Sequence, residues 1–313
     1  MKLSSLQCVL PALALGFSVQ QASAWGNEGH EAIGLIAEHF LTDKARAEVL
    51  TLLAIPSDPS LPGSMRDRAT WADAYRDSDR NTTKERYLAT RSWHFVDLDI
   101  EGPDFKLACY EDGPAKAPAS KGEADDCVVR KIEQFAVELA DRSLPASERT
   151  LALMYLLHFV GDVHQPLHAA ERQHDQGGNK VQIIVEGHEI GSNLHSYWDT
   201  DAVRSLGSTP EAIAKRLTPE ISKEDVADWI KSQGNLSAPR QWAVESWAVA
   251  KSVAYDIPND TRLCKVRAYG QPPIDGRCHT LSEKYVSKAV EQTREQLKKA
   301  AVRLADVLNN ALR

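Results

Sequence analysis

One all-α domain with a single small β-hairpin is the fold this sequence predicts, on three observations. Apolar residues recur at helical spacing through most of the chain, as in Ile33, Ile36, Ala37 and Phe40. A long amphipathic segment, about 281–311, closes it with Leu297, Ala301, Leu304 and Leu308 on one face. Only Lys180–Ile190 alternates as strands do, turning near Glu186-Gly187.

Residues 1–24 read as an export leader. Lys2 supplies the charge, an apolar run spans about 9–19, and Ala22-Ser23-Ala24 is a small-residue cleavage site. The apolar run is too short to cross a bilayer. The expected mature chain, 25–313, is one domain starting at Trp25, secreted or periplasmic and monomeric. Of five cysteines, Cys8 falls in the leader. The other four, Cys109, Cys127, Cys264 and Cys278, suit two disulfides in an oxidising compartment. Three pairings are possible, and the local ones, Cys109–Cys127 and Cys264–Cys278, are favoured.

Helices are predicted over about 28–41 and 43–53, followed by a Pro/Ser/Gly-rich loop at 56–64. Residues 65–76, with Trp71-Ala-Asp73-Ala-Tyr-Arg76, read as helical, and Trp93–Asp97 as extended or irregular. Residues 100–125 lack a period and read as loop; helices follow at 126–141 and 146–163. Helical patterns return at 209–217, 222–233 and 239–254.

The chemistry centres on His158-Phe-Val-Gly-Asp162-Val-His164-Gln-Pro-Leu-His168. Positions i and i+4 share a helix face, so His158 and Asp162 point the same way from an otherwise apolar helix. Burying both without partners would be costly. A bound metal removes that cost; so does a simple His–Asp hydrogen bond, and this stretch leaves the two open. Pro166 stops the helix, so His168 departs on a new heading. Asn193-Leu-His195-Ser-Tyr-Trp-Asp199 repeats the His-x-x-x-Asp spacing.

Five of ten histidines, His30, His94, His158, His168 and His195, sit in such contexts, with Asp73, Asp162 and Asp199. Nitrogen and oxygen donors without Cys-x-x-Cys fit zinc. His164 lies on another helix face and reads as supporting or structural. His39, His174, His188 and His279 read as ordinary. Leader cleavage would free the Trp25 amine, which can chelate a metal together with its own carbonyl. The formal net charge of −7 argues against a basic nucleic-acid-binding surface, but metal ions can hold phosphate on an acidic protein.

The ordered set WGNEGH, WADAYR, WHFVD, HFVGDVHQPLH, GGN and NLHSYWD resembles the class I single-strand-specific nucleases, the P-one/S-one family. That family shares its trinuclear-zinc fold with bacterial phospholipase C. The match covers essentially the whole of 25–313. The resemblance implies three zinc ions. Asp73, His94, His158 and Asp162 would hold one. The Trp25 amine and carbonyl, His30 and Asp162 would hold a second. His168, His195 and Asp199 would hold the third. It implies hydrolysis of single-stranded RNA and DNA to 5′-mononucleotides, with 3′-nucleotidase activity. In this scheme water attacks phosphorus in line, Asp73 orients it, and Arg76 holds the phosphate oxygens as charge builds. Phe95 would stack on a base and Asp97 accept a hydrogen bond from its edge. His174 falls where an apolar residue is expected on the other face of the base. Two rival readings are a zinc phospholipase C on the same scaffold and a non-catalytic zinc-binding protein; neither accounts for Arg76.

Overall fold

Helix α8, Ala146–Asp162, is apolar almost all round and buried almost all round, which places it at the centre. The structure, a computed structural model, describes residues 25–55, 63–109, 118–124, 126–231, 237–267 and 272–313. The expected leader and most of the 56–64 loop lie outside these residues, as does much of 100–125.

Around α8 the chain lays down α1 (Gly26–Glu38), α2 (Asp43–Leu53), α3 (Met65–Arg68), α4 (Trp71–Asp77), α5 (Glu85–Thr90), α6 (Phe105–Ala108) and α7 (Val128–Ala140). After it come α9 (Leu194–Ser196), α10 (Ala202–Arg204), α11 (Pro210–Leu217), α12 (Lys223–Trp229), α13 (Ala238–Val249) and α14 (Glu283–Ala311). Helices α1, α2, α7 and α14 pack on α8. Their inward faces form one core with Ile33, Ile36, Phe135, Leu156, Phe159, Leu297 and Leu304 fully buried. Full burial of such side chains contributes roughly 1.5–3 kcal/mol each before chain entropy is subtracted. Helix starts follow local capping chemistry. The Thr42 hydroxyl accepts from Ala45 N–H, Ser282 accepts from Tyr285 N–H, and Ser222 with Asp225 forms a capping box.

The predicted hairpin forms, as β1 (Gln182–Val185) and β2 (Ile190–Asn193), but it is not alone. Strands β3 (Arg262–Val266) and β4 (Ile274–Leu281) complete a four-stranded sheet closed on itself. β1–β2 and β3–β4 are antiparallel, while β2–β3 and β1–β4 are parallel. The sequence pattern predicts one hairpin only. The second pair escapes it because Arg262–Val266 and Ile274–Leu281 carry charges and lack clean alternation. Their order comes from non-local pairing, Ile183 with His279 and Gly191 with Val266. Both local disulfides form, with Cα–Cα distances of 5.2 Å for Cys109–Cys127 and 6.0 Å for Cys264–Cys278.

Other differences are smaller. The expected 65–76 helix is two short helices, the segment before Phe95 is a 3₁₀ turn (Arg91–His94), and part of the expected loop forms α6. Two π-helical turns occur, Tyr197–Asp201 and Ala250–Ala254. The first carries Asp199, and such turns recur at functional sites.

Candidate metal centre

Five segments that are far apart in sequence converge beside the C-terminal end of α8. Helix α1 brings His30, α4 brings Asp73, the 3₁₀ turn brings His94, the turn after Pro166 brings His168, and α9 with its π turn brings His195 and Asp199. Three donor groups result: His30/His158/Asp162, Asp73/His94/His158 and His168/His195/Asp199.

In the first two groups, His158 Nε2 lies 3.3 Å from Asp162 Oδ2 and 3.5 Å from Asp73 Oδ1. His94 Nδ1 lies 3.0 Å from Asp162 Oδ2 and 3.3 Å from Asp73 Oδ1. His30 Nε2 lies 3.3 Å from Asp162 Oδ1, with its ring stacked on His158 at 3.8 Å. His158 belongs to both groups, and Asp162 of the first reaches the second as well, with Oδ1 toward His30 and Oδ2 toward His158 and His94. Close approach of α1 to α8 depends on Gly161, because a Cβ there would lie 2.7 Å from His30 Nδ1.

In the third group, His168 Nδ1 donates to the His94 carbonyl at 2.7 Å and His195 Nδ1 donates to the Gly177 carbonyl at 2.7 Å. Carbonyls only accept, so in the neutral imidazoles both Nε2 atoms carry lone pairs. They face each other at 3.1 Å, with His195 Nε2 3.3 Å from Asp199 Oδ2. Similarly, His158 Nδ1 donates to the Ala69 carbonyl at 2.7 Å, leaving Nε2 to the cluster.

This arrangement fits metal ions. Tetrahedral zinc ligands at about 2.0–2.1 Å stand about 3.3 Å apart, close to the separations above. His158 Nε2, Asp162 Oδ1 and Asp199 Oδ2 are buried without hydrogen bonds, a costly state that cations relieve. Burial, then neighbouring Arg76, holds the His94 imidazolium well below its ordinary range; burial, then His195, does the same to His168. Neutral imidazole is the ligating form. Burial raises Asp162 well above its usual value and takes Asp199 to about 6, against the pull of His195, Gln165 and the Trp25 backbone N–H.

Trp25 is fully buried, and its indole donates to the Gly161 carbonyl at 2.8 Å, next to Asp162. Its backbone takes a positive φ of 29° as it enters α1. Asp73 is buried, which opposes ionisation, yet Arg76 and His158 hold its carboxyl well below the usual range. Arg76 Nη1 sits 2.6 Å from Asp73 Oδ1. On its other edge Arg76 is gripped by Asp77, Nε at 3.0 Å and Nη2 at 2.7 Å. Asp77 was not singled out from the sequence, although its position directly after Arg76 was visible. Gln165 was also missed: its amide donates to Asp199 Oδ1 at 2.6 Å while its carbonyl oxygen accepts from Leu167 N–H.

Phe95 and Asp97 are half-buried on an extended segment beside the third group. The Val96 N–H donates to the His168 carbonyl at 2.8 Å. Burial, then Glu171, pushes the Asp97 carboxyl up to about 7. His174 does not wall the pocket: its side chain is 95% exposed and stands 3.5 Å from Glu171. His164 is structural, donating to the Val160 carbonyl at 2.7 Å and meeting Arg303 of α14 at 3.0 Å.

The chain matches a family model described as S1/P1 Nuclease over residues 25–313. It is similar to Nuclease P1 of Penicillium citrinum, 27% identical over 91% of this chain and 97% of that one. It is also similar to Endonuclease 4 of Arabidopsis thaliana, 30% identical over 78% of this chain and 80% of that one. With Nuclease S1 of Aspergillus oryzae (strain ATCC 42149 / RIB 40) the identity is 26%, over 79% and 83%. Taken with three His/Asp groups and an arginine aimed at them, a match spanning the whole of 25–313 places this chain in the S1/P1 nuclease family.

Proposed function

We propose that this chain is an exported zinc-dependent nuclease. It hydrolyses single-stranded RNA and DNA to 5′-mononucleotides and removes 3′-phosphates from nucleotides, acting as a monomer with three zinc ions. The observation that carries this reading is Arg76: a guanidinium 9% exposed, too basic to ligate a metal, locked by Asp77 and facing Asp73 within the donor cluster. A zinc store would have no use for it.

Zinc held by the three groups would neutralise phosphate charge and acidify water. The chain's own residues do the rest. Asp73, ionised under the influence of Arg76 and His158, accepts a hydrogen bond from the attacking water and orients it. Arg76 holds two non-bridging phosphate oxygens as charge builds on them. Phe95 stacks on the base and Asp97 meets its edge; a paired base cannot reach them without leaving the helix. Leader removal is part of the proposal, and is supported by the place of Trp25 beside Asp162 and Asp199.

The test uses protein whose first residue is Trp25. It is incubated with single-stranded RNA and DNA, with and without a chelator, and the products are identified. Chelator-sensitive release of 5′-mononucleotides is expected. No cleavage by fully zinc-loaded protein would overturn the reading, and headgroup release from phospholipid would replace it with the phospholipase alternative.

A further inference from the structure

A groove of about 1170 Å³ is lined by Asp73 of the metal centre and by Asp77, Asn193, Ser196, Arg204 and Arg267. Phe95 and Asp97 are not among its lining residues. Its volume exceeds the roughly 300–1,000 Å³ of a small-ligand pocket.

Charge along the groove is largely internal. Asp73 belongs to the donor cluster, Asp77 is paired with Arg76, and Glu28 on the wall is paired with Arg204 at 2.8 Å. Asp201 and His188 also line it, and Asp201 is raised by burial, with Arg204 and His188 pulling the other way. Arg267 differs: among the described residues its guanidinium makes no hydrogen bond or ion pair, and it is exposed. Its backbone is nevertheless fixed. Arg267 N–H donates to the Gly191 carbonyl at 3.0 Å, continuing the β2–β3 ladder. β2 runs directly into α9 and His195, and Cys264–Cys278 clamps β3 to β4. An uncommitted cation thus hangs from a fixed backbone position on a groove whose walls mix apolar Ile183, Val185 and Ile190 with polar Asn193, Ser192 and Ser196 and the acid Asp201.

We propose that this groove is a subsite for the phosphodiester backbone of an extended single strand, with Arg267 binding a phosphate beyond the scissile one. The proposal rests on the nuclease reading. It predicts a dependence on substrate length that the metal centre alone does not create, because a 3′-mononucleotide or a dinucleotide has no phosphate beyond the one that reacts.

The test compares zinc-loaded parent, Arg267→Glu and Arg277→Glu on three substrates: a 3′-mononucleotide, a dinucleotide and a 15-nucleotide single strand. Arg277 is on the same strand pair, turned to Thr261 rather than to the groove. For Arg267→Glu, the ratio of kcat/KM on the 15-mer to that on the dinucleotide should fall about 5–10-fold. The slope of log kcat/KM against log salt on the 15-mer should weaken by about 1. Arg277→Glu should leave both quantities at the parent value. An unchanged ratio in Arg267→Glu, or an equal fall in Arg277→Glu, overturns the subsite. Fluorescence anisotropy with a labelled phosphorothioate 15-mer reads binding without turnover. A parent that binds this strand but cleaves nothing would sink the nuclease reading alone; a parent that binds no strand would sink the subsite.

Discussion

His168 and His195 face each other through unprotonated nitrogens, Nε2 to Nε2 at 3.1 Å, because carbonyls of His94 and Gly177 hold the protons on the opposite sides of both rings. Two lone pairs at that distance repel, and a cation between them turns repulsion into ligation. Zinc titrated into chelator-stripped protein should therefore raise Tm, by about 4 kcal/mol of stability at a thousandfold excess over Kd for one site. His195→Ala should bind about one ion fewer by elemental analysis. Full metal content in that variant would remove His195 from the ligand set.

Gln165 acts through Asp199. Its amide holds Oδ1 at 2.6 Å and so presents Oδ2 to His195. Gln165→Leu should weaken zinc binding at this group about 10–100-fold, as loss of such supporting contacts does elsewhere. Circular dichroism should match the parent. Equal zinc affinity in a competition assay against a chelating dye would show that Asp199 needs no such help.

Arg76→Ala should lower kcat by about 10²–10³ while retaining the parent's zinc content. Arg76→Lys should recover little, since a point charge cannot occupy both the Asp77 fork and the Asp73 contact. Steady-state kinetics beside metal analysis decides this. Loss of zinc in Arg76→Ala would recast Arg76 as scaffolding.

Gly161→Ala separates helix propensity from packing. Alanine favours a helix interior by about 1 kcal/mol over glycine, yet its Cβ would press on the His30 ring. Overpacking costs about 1–3 kcal/mol, so Tm should fall and zinc content drop. A higher Tm with full zinc would mean that His30 gives way freely.

Asp97 links stability to pH. Burial lifts its carboxyl from the usual 3.8 to about 7. Between those values the folded chain keeps a proton that the unfolded chain has lost, so this group's contribution to stability falls as pH rises through that window. Asp97→Asn cannot ionise and should be free of this loss. Its advantage in Tm over the parent should be larger at pH 8 than at pH 5, the difference reflecting at most about 3 kcal/mol. The same difference at both values would contradict the shift.

The sequence by itself determined the elements whose code is local. Helix α8 is legible in its apolar run and in Pro166, α14 in its stripe of leucines, the β1–β2 hairpin in its alternation around Gly187. The pairs His158/Asp162 and His195/Asp199 are legible for the same reason, since i and i+4 share a face before any tertiary contact exists. The ligand sets that cross between segments came from resemblance; the structure gathers their His and Asp members as His30/His158/Asp162, Asp73/His94/His158 and His168/His195/Asp199. Only the tertiary structure decided the rest. Strands β3 and β4 are held by far-off partners, Gly191 with Val266 and Ile183 with His279, and by a disulfide, which no local pattern encodes. Gln165 and Asp77 matter through whom they touch, and glutamines and aspartates beside helices are usually solvated. Arg267 looks like any surface arginine until the β2–β3 ladder brings it to the groove that ends at Asp73.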